Sequence, residues 1–418
     1  MRPILHRTCW SLQAAFYGRR PQANPLDPCL NIPKPHQGLK STMQRRYAVT
    51  EWKGDWEWHA QLWELRTCWK NRELCHLCRA SKTARSGVPF VLFGADKFIR
   101  RSHAEFVVQS LPASPCPLLL TPGFHPGQIR YCAMHVLALG VYQTLCAEAI
   151  LWMAEHRAFS AYSDIQAEHH AFSAFINIHG ARDDHDQLEK QLRCAFQNFK
   201  TWLSVNKLSC SGRCFNSKRL HVSEVDFPWL GYKAFNCRIV LAWAADAWLI
   251  SFCFSQPAAP TYNSPLIRSG SIDHMIRNGE SDDAFKARCD LNDIITTCVF
   301  LMSELQNDLE TSGRYLTCSE SKHLYCRGQQ CLSLYRLAAQ IFAGQGRLRF
   351  FLRPKLHALD ELLLAALTER YNPRLYQCYA EEDFLGLLKP LALRAVAATS
   401  RVFETAMLKR YLLRWPGK

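Results

Sequence analysis

Hydrophobic positions along this chain recur mostly at helical spacing. Trp52, Trp56 and Trp63 stand at successive offsets of four and seven, and Leu62, Leu65 and Trp69 widen the same stripe. That spacing predicts a helix with its aromatic face in a core; exposed rings flanked by cations would instead serve for base stacking. Residues 88–93 form an apolar run after Gly87, and residues 112–126 are punctuated by proline, so 86–130 reads as short strands and loops. Helical periodicity returns at 134–156, 230–255, 284–309, 331–342, 355–370 and 383–414. Residues 164–189, rich in His, Asp and Glu, read as a solvated helix or a helical hairpin around Gly180. The most apolar stretches, 136–153 and 239–254, are short for membrane spans and carry Glu148 and Asp246, so both read as buried helices. No internal repeat is visible.

The predicted fold class is mixed α/β and helix-rich. Residues 1–44 are a basic, proline-rich tail or transit-like segment, and 45–85 a small Trp/Cys-rich module. The first part of an α/β core spans 86–255, a linker or surface loop 256–283, and a helical region completing the core 284–418. A length of 418 residues is enough for more than one core. Lys and Arg outnumber Asp and Glu by 51 to 36, a net charge of +15, which favours a polyanionic partner such as nucleic acid over a membrane. The 19 cysteines, scattered and odd in number without an apolar signal peptide, fit a reducing compartment, nuclear or cytoplasmic. The basic N-terminus, with Arg2, Arg7, Arg19 and Arg20 around an apolar stretch, leaves organelle targeting open.

Among candidate chemistries, Cys75-His76-Leu77-Cys78 is the sharpest. A tetrahedral structural zinc site takes four thiolate or imidazole ligands, so a CxxC needs two more, sought among Cys68, His59, His76 and His103. Cys68 and His59 are the preferred pair, and buried reduced thiols are the alternative. Cys318, His323, Cys326 and Cys331 offer a second set of suitable residue types. There is no nucleophile elbow and no phosphate-binding glycine loop; Gly344-Gln345-Gly346 lacks a third glycine and a preceding strand. Glu381, Glu382 and Asp383 are the richest acidic point, placed either for Mg²⁺-dependent phosphoryl transfer or to stabilise the start of a helix. Arg347, Arg349, Arg353 and Lys355 alternate as one charged face of a strand would, suiting them to phosphate contacts or to plain solvation.

Six motifs occur in order: Gly54-Asp55-Trp56-Glu57-Trp58-His59, Cys75 to Ala80, Met134-His135 with Leu139-Gly140-Val141, Lys233-Ala234 with Arg238, Pro354-Lys355-Leu356-His357, and Asn372-Pro373-Arg374 with Glu382-Asp383-Phe384. In these the chain resembles, over about residues 45–415, a multicopy family of dinoflagellate proteins that is itself similar to DDE transposases. The resemblance implies a ribonuclease-H-like core interrupted by a helical insertion, with acids on two strands and a late helix. Where the family carries the two strand acids this chain has Leu92 and Cys132, neither a hard oxygen ligand for Mg²⁺. Glu382 or Asp383 keeps the late acid; Asp96 or Asp55 can stand in for the first and Asp246 for the second. The implied function is therefore a transposase-derived, catalytically inactive DNA-binding protein. The alternatives are an active Mg²⁺-dependent nuclease or transposase, and a zinc-stabilised interaction module.

Overall fold

The computed structural model describes residues 2–18, 46–111, 116–156, 158–159, 180–255 and 290–395, apart from Ser86 and Ala95. The expected linker at 256–283 lies outside the described residues, as do residues 19–45 and 396–418. Residues Arg2–Tyr17 form helix α1, whose Cys9 is buried in a small core with Leu62, Trp63, Phe106 and Ile129.

The tryptophan stripe is divided between a strand and a helix rather than lying on one helix. Asp55 is the cause. It adopts extended backbone angles (φ −69°, ψ 167°) and its carboxylate accepts from the Trp58 amide, so it starts a helix and cannot lie inside one. Upstream, Trp52–Gly54 becomes strand β1; downstream, Trp56–Leu62 becomes helix α2, which ends just before Glu64 turns left-handed (φ 51°). Two further short strands, β2 (Ala80–Ser81) and β3 (Val88–Pro89), pair in parallel. Strand β4 (Ile129–Tyr131) runs parallel to β1, with Gly54 opposite Tyr131, and Cys132 N–H continues the ladder to the Gly54 carbonyl at 2.9 Å. These two small sheets are the strands among the described residues, so the fold is helix-rich with few short strands.

After β4 a π-type turn, Met134–Val141, runs into helix α3 (Tyr142–Glu155). The stretch from Met134 to Glu155 is apolar and long enough to cross a membrane, yet its most apolar part is 94% buried inside the fold and packs as a core helix. The backbone kinks at Leu139, whose carbonyl accepts from Lys355 Nζ at 2.6 Å. Gly140 makes room for that side chain, since a Cβ there would sit 2.6 Å from Lys355 Cδ.

Helices α4 (Gly180–Val205), α5 (Ala234–Ser255), α6 (Leu291–Thr311), α7 (Cys318–Gly344) and α8 (Pro354–Glu369) complete the bundle, and α9 (Tyr379–Ala395) follows. Of the expected solvated helix or hairpin at 164–189, residues 164–179 lie outside the described residues, and the part from Gly180 onward belongs to α4. Asp290 caps α6, and Thr317 with Glu320 forms a reciprocal capping box that starts α7 well before residue 331. Pro354 opens α8, its missing N–H costing nothing in a first turn. α3 packs on α5 and α6, α6 on α7, and α7 on α8.

Gly328 lets α7 and α8 approach closely, because a Cβ there would lie 2.3 Å from Leu363 Cδ1. Helix propensity alone favours alanine at such a position by about 1 kcal/mol. Gly328→Ala is nevertheless expected to destabilise the protein by about 1–3 kcal/mol through overpacking, as read by urea unfolding. A stabilised variant would show that the two helices can separate freely.

Candidate metal centre

The CxxC lies in the connection after α2, folded back so that Leu74 N–H bonds the Ala80 carbonyl at 3.1 Å. The Arg101 guanidinium clamps this knuckle from behind: Nε donates to the Cys78 carbonyl at 3.0 Å and Nη2 to Glu73 at 2.5 Å. Leu77 N–H points at Cys75 Sγ, 3.3 Å away, as expected of a turn built to present a thiolate. Opposite stands α8. His357 and Glu361 are one helical turn apart, so both project from the same buried face.

Cys75, Cys78, His357 and Glu361 are all buried, and their ligand atoms lie within 4.8 Å of one another. Cys78 Sγ is 3.3 Å from His357 Nε2, Cys75 Sγ is 3.5 Å from Glu361 Oε1, and His357 Nε2 is 3.5 Å from Glu361 Oε1. Four donors converging from a loop and a helix 279 residues apart in sequence form a group that can hold a metal ion.

The electrostatics suit a cation. Burial pushes the Cys75 thiol up, but a hydrogen bond from Cys78 and the nearby imidazole outweigh it and hold Cys75 well below an ordinary thiol. Burial, and then the charge on Cys75, push Cys78 the other way. His357 is raised to about 10: burial lowers it, and the Cys75 and Glu361 charges overcome that. Glu361 is held well below the carboxylate range against its own burial, by His357 and by Arg100, which donates to both its oxygens at 2.7 and 2.6 Å. With a divalent cation in place of the protons on Cys78 and His357, two thiolates and a carboxylate would be balanced by that cation and the Arg100 guanidinium, as a buried site requires. His357 Nδ1 has no hydrogen-bond partner among the described residues, and the ring is fixed by an edge contact with Phe98 at 4.7 Å. The orientation of the imidazole toward the thiolates thus rests on packing.

The structure brings Cys75 and Cys78 together with His357 and Glu361, and not with Cys68 or His59. Cys68 is buried outside this group. His59 gives Nε2 to the Arg130 carbonyl at 2.7 Å, and burial lowers its pKa to about 4. His76, inside the knuckle, points away toward the Ile129 carbonyl and Tyr131 hydroxyl, both at 3.3 Å. His103 is exposed. Cys318, His323, Cys326 and Cys331 all lie on α7, where about 100° per residue distributes them around the helix: the first three are exposed and Cys331 is buried.

Residues 347–353 are an irregular connection between α7 and α8 rather than a strand, and they do not offer an alternating charged face. Arg349 is 6% exposed and paired with Glu148 and Glu155, Arg347 pairs with Glu155 at 2.9 Å, and Arg353 is half-buried over the Phe351 ring. Lys355 is bound to the Leu139 carbonyl, and burial lowers its pKa to about 8. Among the acids, Asp96 is exposed beside Lys97, Asp246 accepts from Trp202 Nε1 at 2.9 Å, and Asp383 is exposed at the start of α9. Leu92 is exposed in a loop.

Glu382 differs from these. His135 Nε2 lies 3.4 Å from Glu382 and 3.9 Å from Asp55. Asp55 directly follows β1, and Cys132 directly follows the adjacent parallel strand β4. Cys132 is buried and held low, at about 5, by the Cys378 thiol and, against its own burial, by His135. Asp55, Cys132, His135 and Glu382 therefore gather at the carboxyl ends of paired parallel strands, a place where α/β folds set their sites.

Fold and site together define a helix-rich α/β protein whose loop knuckle and helix α8 share a buried centre of two cysteines, a histidine and a glutamate. Compared with known family models, curated proteins and solved structures, the chain has no match.

Proposed function

We propose that this chain is a transposase-derived DNA-binding protein, stapled by a structural zinc ion and without strand-transfer activity. The observation that supports it is the gathering of Asp55 and Glu382 around His135, with Cys132 beside them. The resemblance implies acids on two strands and a late helix; Cys132 and Glu382 stand at two of those positions, and Asp55 is the stand-in for the first, whose own position, Leu92, lies in a loop. A thiol at the second position and an imidazole between the two acids leave no three-carboxylate set for a pair of Mg²⁺ ions. Two thiolates, one imidazole and one carboxylate suit Zn²⁺ in preference to Mg²⁺ or Ca²⁺. The net charge of +15 supplies a driving force toward a polyanion.

Binding of duplex DNA across a salt series tests the reading. Affinity is expected to fall steeply and linearly in log–log form between 50 and 200 mM salt, on the order of 10³-fold if about six phosphates are contacted. Supercoiled plasmid with Mg²⁺ should remain un-nicked. Absence of binding at low salt removes the DNA-binding reading, and nicking lost in Glu382→Gln overturns the inactive one.

A further inference from the structure

A cleft of about 360 Å³ opens between β1, the turn after α6 and the start of α9. Its lining carries Lys53, Arg314 and Arg374 against a single carboxylate, Glu381. Lys53 is the outward residue of β1, with Nζ 2.5 Å from Glu381 and 3.3 Å from the Gln377 carbonyl. Arg374 is fixed by donating to the Glu310 carbonyl at 2.9 Å and by its ion pair with the Glu310 carboxylate at 3.2 Å.

Arg314 is held differently. Asn372 pins its turn by donating to the Leu309, Ser312 and Gly313 carbonyls, while Asn372 N–H bonds the Arg314 carbonyl at 3.1 Å. The guanidinium is exposed and lies 5.5 Å from the Tyr315 ring centroid. Tyr315 itself is 64% exposed and leans on Tyr371, with centroids 5.3 Å apart. A large aromatic left in solvent, supported from behind and bordered by a cation, is what a base-stacking platform requires.

We propose that this cleft binds a single-stranded segment of nucleic acid, with phosphates on Lys53, Arg314 and Arg374 and a base stacked on Tyr315, which lies outside the cleft's lining but next to Arg314 in the chain and under its guanidinium. This rests on the nucleic-acid-binding reading and gives it a location and a strand preference. Lys53 and Arg374 are pre-positioned by backbone carbonyls and by ion pairs with Glu381 and Glu310, which a phosphate has to share or displace, and the backbone of Arg314 is pinned by Asn372. Duplex DNA keeps its bases stacked inside and cannot use the tyrosine. The ring beside the cleft therefore discriminates between strand states, and the cations lining the cleft supply the salt sensitivity.

The test is anisotropy with a fluorescent oligothymidylate and with a duplex of equal length, using the full chain. Tyr315→Ala is expected to weaken oligothymidylate binding roughly 5- to 150-fold with an unchanged salt slope, and to leave the duplex unaffected. Arg314→Gln should reduce the magnitude of the single-strand log–log salt slope by about 0.7. Both side chains are exposed, so wild-type melting curves will accompany these losses. If both variants bind the oligothymidylate as the wild type does while duplex binding persists, the cleft is wrong and the DNA-binding reading stands. If the wild type binds neither DNA at 50 mM salt, both fall.

Discussion

Cys78→Ser or His357→Ala is expected to yield protein without stoichiometric zinc and with its knuckle detached from α8. The wild type should hold one zinc per chain after dialysis. The reasoning starts from what remains when one donor is lost. Cys75, Glu361 and the remaining partner are buried, and three donors no longer close a tetrahedral site: in His357→Ala two thiols and a carboxylate face only Arg100, and in Cys78→Ser the His357 imidazole pairs with Cys75 and Glu361 instead of a cation. Structural zinc in small peptides is worth about 10–16 kcal/mol, but here the knuckle, through Leu74, Cys75 and Cys78, packs into the large apolar core that α3 and α5–α8 share, and that packing remains when the metal is lost. The loss is thus capped by the local opening of the knuckle, on the order of 5 kcal/mol. Elemental analysis and denaturant unfolding check both parts. Cys68→Ser discriminates, because Cys68 is outside the group and its variant should keep the metal. Affinity should also fall as pH is lowered, since thiolates and imidazole must shed protons to ligate. Stoichiometric zinc in His357→Ala would sink the assignment of the centre.

Half of this centre was legible in the sequence and half was not. CxxC is a local pattern, and spacing alone marks it. Its partners lie at 357 and 361, and nothing short of the fold shows that α8 crosses the knuckle. One signal existed: the leucine face of α8, with Leu356, Leu359 and Leu363 buried, also carries His357, Asp360 and Glu361, and ionisable groups on a core face need partners. Helix α8 itself was well marked, by Pro354 at its start and leucines at helical spacing. The tryptophan stripe misled because periodicity cannot see that Asp55 stops a strand and starts a helix. The strand expected for Arg347 to Lys355 misled for a different reason: alternation records residue type and not the α3 acids that take Arg347 and Arg349, nor the Leu139 carbonyl that takes Lys355.

Those acids set the second large expectation. Arg349→Ala should destabilise the protein by about 3–5 kcal/mol, because it strands Glu148 in the core. Glu148 lies on α3 with no solvent exposure, and burial raises its pKa. It is satisfied at both oxygens: Arg349 Nε donates to Oε2, and the Phe350 amide donates to Oε1 at 2.6 Å. Arg349 also donates from Nη2 to the Glu148 carbonyl at 3.2 Å and from Nη1 to Glu155 at 2.8 Å, and packs over the Phe342 ring. One guanidinium thus ties the connection between α7 and α8 to α3. The sign of the pH effect follows from the carboxylate. With Arg349 gone, the folded-state pKa of Glu148 rises further, the folded protein binds the proton more tightly than the unfolded chain, and stability falls as pH rises. The deficit should therefore be largest near neutrality and shrink as pH is lowered toward 5. Replacing the pair together, Glu148→Leu with Arg349→Met, should recover much of the loss, since apolar residues of similar volume substitute for buried pairs at little cost. Neither change should alter the salt slope of DNA binding, because this arginine is spent inside the fold. A loss below about 1 kcal/mol in Arg349→Ala, independent of pH, would mean that water reaches Glu148 and that the connection is held by other contacts.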